Sequence, residues 1–164
     1  MKADDAWTCW IETNGEAFFL FAKQQCRSDD DAKDVLQEAL AEVWSRTPEG
    51  LPDRAYVFAT IRRRAIDQGR SLDRRSKREA KFAEGTKDWF VPDYSINDLR
   101  HHLACTIESL PKTLQEVLIL KVWGGLTFPA ISELIELPVA TATSRYRYAI
   151  ERIRESTSLT ELKQ

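Results

Sequence analysis

Apolar residues recur along this chain three and four positions apart, the period of an α-helix. No Asn-Gly or Asp-Gly turn stands between alternating runs, as a β-hairpin requires. Trp7, Trp10, Ile11, Phe18, Phe21 and Ala22 make the first such stripe. Gly15 interrupts it, so the segment reads as one helix or two short ones. Leu36, Ala39, Leu40 and Val43 make the second stripe, flanked by Val35 and Trp44. Val57, Phe58, Ile61, Ala65 and Ile66 make the third. Leu110, Leu114, Val117, Leu118 and Val122, then Ile131, Leu134 and Ile135, then Val139, Ala142, Tyr146, Ala149, Ile150 and Ile153 complete the set. The expected fold class is all-α.

Punctuation places the ends. Ser28 can cap the second helix, and Asp29, Asp30 and Asp31 put negative charge in its first turn, where the helix dipole favours it. Thr47 to Pro52 makes a loop, and a third helix starts near Asp53 and loosens at Gly69. Arg70 to Lys81 is polar and basic, a less regular continuation. Periodicity lapses over 82–95, where Gly85, Pro92, Asp93 and Ser95 mark a linker that also holds Trp89 and Phe90. Ser95 can cap the next helix, Gly124-Gly125 can close the one after it, and Thr127 with Pro129 can open the third. A short turn at Glu136–Pro138 leads to the last helix. The pattern predicts two small helical domains, 1–81 and 96–164, joined by 82–95.

Composition narrows the function classes. Of 164 residues, 43% are hydrophobic, with five Trp, seven Phe and four Tyr, which excludes a disordered chain. Cys9, Cys26 and Cys105 have no pair spacing, so no disulfide framework is expected. No apolar run nears the roughly 20 residues that span a bilayer. The polar, acidic start is unlike a secretory signal, so the expected location is the cytoplasm, with no membrane insertion.

The formal net charge of −2 conceals strong blocks. Residues 1–53 carry 5 basic and 12 acidic groups, and 54–81 carry 10 and 3. Residues 82–144 carry 4 and 8, and 145–154 carry 4 and 1. Two basic islands in an acidic chain point to two places that meet an anion. In the first, Arg62, Arg63, Arg64, Arg70, Arg74 and Arg75 suit phosphate contacts, with Tyr56 and Phe58 beside them to stack on exposed bases. In the second, Ser144 and Tyr148 lie opposite the apolar stripe, with Thr141, Arg145, Arg147 and Arg152 beside them. Two short helices with a tight turn, the second bearing Arg, Ser and Thr outward, make a helix-turn-helix whose second helix reads duplex DNA.

Catalytic signals are missing. There is no Gly-rich phosphate loop and no Gly-x-Ser-x-Gly. His101, His102 and Cys105 fall short of the four ligands of a closed zinc site, so no metal or cofactor is expected. Nothing argues for an enzyme.

Several motifs in order resemble the bacterial RNA polymerase sigma factors of the two-domain, extracytoplasmic-function type. Asp31-Ala-Lys-Asp-Val-Leu-Gln-Glu38 with Trp44 is similar to one family signature, and Ala55 through Asp67 to another. Leu110-Pro111, Gln115-Glu116-Val117, Gly125-Leu-Thr-Phe128, Ile131 and Pro138 through Arg145 resemble the second domain. Lys33, Tyr56, Arg63, Ala140, Thr143 and Tyr148 depart from the usual family residues.

The resemblance implies a transcription initiation factor. Domain 1–81 would bind core RNA polymerase at the β′ clamp helices through Asp31, Asp34, Gln37 and Glu38. It would open the −10 element with Tyr56, Phe58, Arg62, Arg63, Arg64, Asp67, Arg70, Arg74 and Arg75. Domain 96–164 would meet the β flap and read the −35 element with Thr141, Thr143, Ser144, Arg145, Arg147, Tyr148 and Arg152. An anti-sigma factor is a further implied partner. The residues alone also admit a free-standing helix-turn-helix regulator, which leaves the Asp31–Trp44 helix without a purpose.

Overall fold

The computed structural model describes residues 3–76 and 98–161 and divides into two compact units, Met1–Lys87 and Asp88–Gln164. The expected linker 82–95, with Trp89, Phe90 and Ser95, lies outside the described residues. All secondary structure among the described residues is helical.

The first unit packs α1 (Ala3–Gln25), α2 (Asp29–Arg46) and α3 (Arg54–Ser76) against one another. Its centre is aromatic. Phe18 and Phe21 of α1 meet Phe58 of α3 edge to face, at 4.9 and 5.3 Å between ring centres, and all three are fully buried. Trp10 reaches Phe18 at 5.4 Å, Trp7 stacks on Trp10 at 5.4 Å, and Trp44 of α2 meets Trp7 at 4.7 Å. The line of rings runs from the core to the surface, where Trp44 is exposed. This packing keeps α1 continuous through Gly15, because residues on both sides of the glycine join one core.

The α2 stripe keeps the expected Ala39 and Val43 but continues through Val35 and Ala32 in place of Leu36 and Leu40. Ala32, Val35, Ala39 and Val43 are buried, while Leu36 and Leu40 are only half-buried. Small residues at the centre of the contact let α2 approach both neighbours closely, and the leucines cover the seam from its edge. Ser28 caps α2 as expected, its hydroxyl accepting from the Asp31 N–H at 3.1 Å. Asp53 accepts from the Ala55 N–H at 3.2 Å and opens α3, whose Val57, Phe58, Thr60, Ile61 and Ala65 are buried. Ile66 is exposed rather than inward-facing.

The second unit holds α4 (Asp98–Ser109), α5 (Lys112–Val122), α6 (Phe128–Ile135) and α7 (Val139–Glu161). Every residue of α5 from Leu114 to Leu120 is buried, Gln115 and Glu116 included. Gln115 donates from Nε2 to the carbonyls of Ile107 and Glu108, both at 3.0 Å, and so satisfies the end of α4. His102 and Thr106 of α4 close a small polar knot on Ser156 of α7, with contacts of 2.9 and 3.0 Å. Val122 and Val139, expected inside, are exposed because each lies at a helix end beyond the packed stretch.

The turn between α5 and α6 requires glycine. A β-carbon on Gly124 would stand 2.5 Å from the Leu120 carbonyl oxygen, and Gly125 has a φ of 64°. Thr127 then caps α6, accepting from the Ala130 N–H at 3.3 Å, with proline in the first turn. Glu136 ends α6 in the left-handed region, φ 58°, and α7 follows at once.

Two substitutions check this packing. Phe58→Ala removes the ring shared by α1 and α3 and should cost about 3–5 kcal/mol, read by urea unfolding. Gly124→Ala drives a methyl into backbone and should cost about 1–3 kcal/mol, read as a lower melting temperature.

Candidate nucleic-acid interface

Burying one side of α2 turns the other outward. Asp34, Gln37 and Glu38 are exposed on that side, and Asp31 is half-buried at the first turn, its N–H held by the cap. The four expected polymerase contacts therefore lie on one polar side of α2, from which Glu38 also reaches Arg64 of α3.

On α3 the same logic applies with opposite charge. Arg63, Asp67, Arg70 and Arg74 recur at helical spacing and are exposed, as is Arg75; Arg62 and Arg64 are half-buried. Tyr56 is half-buried, its carbonyl accepting from the Thr60 hydroxyl at 2.8 Å. Phe58 does not belong to this surface. It is fully buried between Phe18 and Phe21, so it has no face to offer a base; its place in the apolar stripe overrides its nearness to the arginines.

The basic island is also less bare than its composition suggests. Glu42 of α2 faces α3, and its side chain is only 9% exposed. Its Oε2 accepts from Arg64 Nε at 2.9 Å and Nη2 at 2.7 Å, and its Oε1 accepts from Arg63 Nη2 at 2.5 Å. Arg46, one turn on along α2, adds a contact at 3.3 Å, and Glu38 lies 3.5 Å from Arg64. Hydrogen bonds from Arg64 and then Arg63 hold the Glu42 carboxyl below the ordinary carboxylate range, against the opposing pull of burial. The same bond raises Arg64. At the far end of α3, Asp73 pairs with Arg27 from the α1–α2 junction.

Sequence reasoning did not single out Glu42. Its only local signal is the four-residue spacing to Glu38 and Arg46, which any solvated helix shows. That it turns toward α3 follows from the burial of Val43 beside it.

In the second unit, Ser144, Arg147, Tyr148 and Arg152 of α7 are exposed, and Thr141, Thr143 and Arg145 are half-buried. The Arg152 guanidinium lies 5.9 Å from the Tyr148 ring centre, and the Thr143 hydroxyl donates to the Val139 carbonyl at 2.8 Å. The helix is seated by Ala142 and Ala149, both fully buried, and by Tyr146, which meets Phe128 of α6 edge to face at 5.4 Å. Lys121 Nζ stands 4.5 Å from the Phe128 ring centre. The result is a helix-turn-helix with a polar row facing away from its support.

No group of three potential metal ligands occurs among the described residues. Cys105 lies 3.7 Å from His101, while His102 is occupied with Ser156. No helix among the described residues is long and apolar enough to cross a membrane.

One prediction follows from the Glu42 cluster. A carboxyl whose proton affinity is lowered by folding stabilises the fold above its unfolded pKa and loses that contribution as pH falls through the folded one. Wild type should therefore be more stable than Glu42→Gln at neutral pH, and the gap should close on acidification below the ordinary glutamate range. Urea unfolding of both proteins at neutral and acid pH reads it.

Comparison with known proteins agrees with this geometry. Residues 10–75 match the family model "Sigma-70 region 2", and residues 100–153 match "Sigma-70, region 4". The extracytoplasmic-function (ECF) RNA polymerase sigma factor SigK of Mycobacterium ulcerans is 27% identical over 159 residues, covering 85% of this chain and 84% of that protein. SigK of Mycobacterium sp. strain KMS is 24% identical over 158 residues, covering 92% and 82%. Among solved structures, the sigma factor RpoE in complex with the anti-sigma factor NepR from Bartonella quintana superposes with a TM-score of 0.72 at 21% identity, over 92% of this chain and 96% of that one. CnrH in complex with the cytosolic domain of CnrY gives 0.56 at 17% identity, over 98% and 91%. With a region 2 bundle and a region 4 helix-turn-helix in that order, and relatives alike across both, the chain belongs to the sigma-70 family as an extracytoplasmic-function sigma factor, a transcription initiation factor.

Proposed function

We propose a division of labour among three surfaces. The outward face of α2, with Asp31, Asp34, Gln37 and Glu38, docks on the β′ clamp helices of core RNA polymerase. The α3 surface engages the −10 element, where Arg62, Arg70, Arg74 and Arg75 meet phosphates and Tyr56 and Asp67 lie at the bases; Arg63 and Arg64 stand on the same surface, paired to Glu42. Helix α7 enters the major groove of the −35 element through Thr141, Thr143, Ser144, Arg145, Arg147, Tyr148 and Arg152, and its unit also meets the β flap. Units 1–81 and 96–164 thus take separate promoter elements, with 82–95 between them. Catalysis stays with the polymerase, and the chain works in the cytoplasm.

The observation that carries this reading is the split of one three-helix bundle into an acidic outer face on α2 and a cationic outer face on α3. Charge of opposite sign on adjacent helices suits two different partners, a protein and a nucleic acid. An anti-sigma partner belongs to the same reading, supported by RpoE having been solved with NepR.

Asp34 is the residue to change, since Glu38 is already within 3.5 Å of Arg64. The full chain should co-elute with purified bacterial core RNA polymerase on gel filtration, and Asp34→Lys should remove most of that co-elution without lowering the melting temperature. A folded wild-type chain that elutes apart from core at low salt would overturn the reading in favour of a free-standing helix-turn-helix regulator.

A further inference from the structure

We propose that Glu42 is an internal stand-in for a DNA phosphate: it occupies Arg63 and Arg64 and so limits how much positive charge α3 presents to nucleic acid. The inference rests on α3 being a DNA-binding helix, and it refines which of its arginines supply affinity.

The geometry is that of an anion site already filled. Arginine binds carboxylate and phosphate alike, by charge-assisted N–H···O bonds of about 2.7–2.9 Å. Both oxygens of Glu42 are taken, Oε2 by two nitrogens of Arg64 and Oε1 by Arg63 and Arg46. The carboxylate cannot simply swing away. Its neighbours Ala39 and Val43 are fully buried and fix that side of α2 against the bundle, and its own side chain is 9% exposed. The lowered proton affinity of Glu42 agrees with a cluster that stays ionised at neutral pH.

Two consequences follow for DNA. A phosphate approaching Arg63 or Arg64 meets a guanidinium already bonded to a carboxylate that offsets part of its charge within a few ångströms, well inside the roughly 8–10 Å screening length of salt. Taking Arg63 would break its bond to Oε1, and taking Arg64 would break both bonds to Oε2, at a carboxylate whose side chain is only 9% exposed. The arginines beyond the cluster differ. Arg70, Arg74 and Arg75 are exposed and make no ion pair among the described residues. The phosphate affinity of α3 therefore comes chiefly from its C-terminal half, and Glu42 acts as a positioning residue that withholds Arg63 and Arg64.

The salt dependence of DNA binding tests this, because each phosphate neutralised on a single strand adds about 0.7 to the slope of log K against log salt. The full chain, Glu42→Gln, Arg63→Ala and Arg70→Ala are titrated with a fluorescent single-stranded oligonucleotide by anisotropy, from about 50 to 200 mM NaCl. Circular dichroism establishes that each variant is folded.

Removing the one carboxylate charge frees Arg63 while Arg64 keeps Glu38, so the Glu42→Gln slope should steepen by about 0.7 and binding should tighten several-fold at the lowest salt. Arg63→Ala should leave the wild-type slope unchanged, whereas Arg70→Ala should flatten it by about 0.7. Equal slopes for wild type and Glu42→Gln, with Arg70→Ala still flattened, would overturn the clamp and leave α3 as the DNA helix. A flattened Arg63→Ala would overturn it too, and that variant keeps the Arg64 pair, so it decides the matter should Glu42→Gln not fold. Slopes that ignore Glu42, Arg63 and Arg70 alike would overturn the assignment of α3 to DNA and the clamp with it.

Discussion

The edge-to-face packing of Phe58 between Phe18 and Phe21 is the constraint on which the first unit turns. A helix buries about a third of its circumference against a neighbour. Once Val57, Phe58, Ile61 and Ala65 take that sector of α3, the arginines can only stand at its flanks and outer side. The aromatic contact that stabilises the bundle therefore also orients the charged surface, and core and interface are two readings of one helical period.

Electrostatics then divides that surface. A carboxylate on α2 sits where it can reach two arginines of α3, and its position is set by the buried Ala39 and Val43 on either side of it. An exposed ion pair is worth little, but one held by packing with both oxygens engaged acts as a fixed structural element. The bundle thus carries its own counter-charge at one end of α3 and leaves the other end cationic. In the second unit, glycine performs the comparable service. Gly124 and Gly125 let the chain turn against Leu120 between α5 and α6, and Glu136 in the left-handed region then turns α6 into α7.

Much of the fold was legible in advance, since periodicity, caps and breakers are local signals. The caps at Ser28 and Thr127 and the glycine turn after α5 fall where residue spacing puts them, and so do the exposed Ser144, Arg147, Tyr148 and Arg152 of α7. On α2, Ala39 and Val43 fall as expected, while Leu36 and Leu40 give way to Ala32 and Val35, since small and β-branched residues permit the closer approach at a three-helix centre. Phe58 carries two readings in the sequence, and its place in the apolar stripe holds while its stacking role does not. An aromatic beside arginines can stack on a base or fill a core, and sequence proximity does not choose between them.

The linear sequence determined the helices, their order, the blocks of charge and the family, because each depends on residues within a turn or two of one another or on motifs in series. Tertiary structure decided which arginines carry uncompensated charge and which aromatic is buried. The first outcome depends on side chains 21 and 22 residues apart, as Glu42 is from Arg63 and Arg64, and the second on the still more distant Phe18 and Phe21. No helical period links such positions. Only the seating of α2 against α3 brings Glu42 within a hydrogen bond of its arginines.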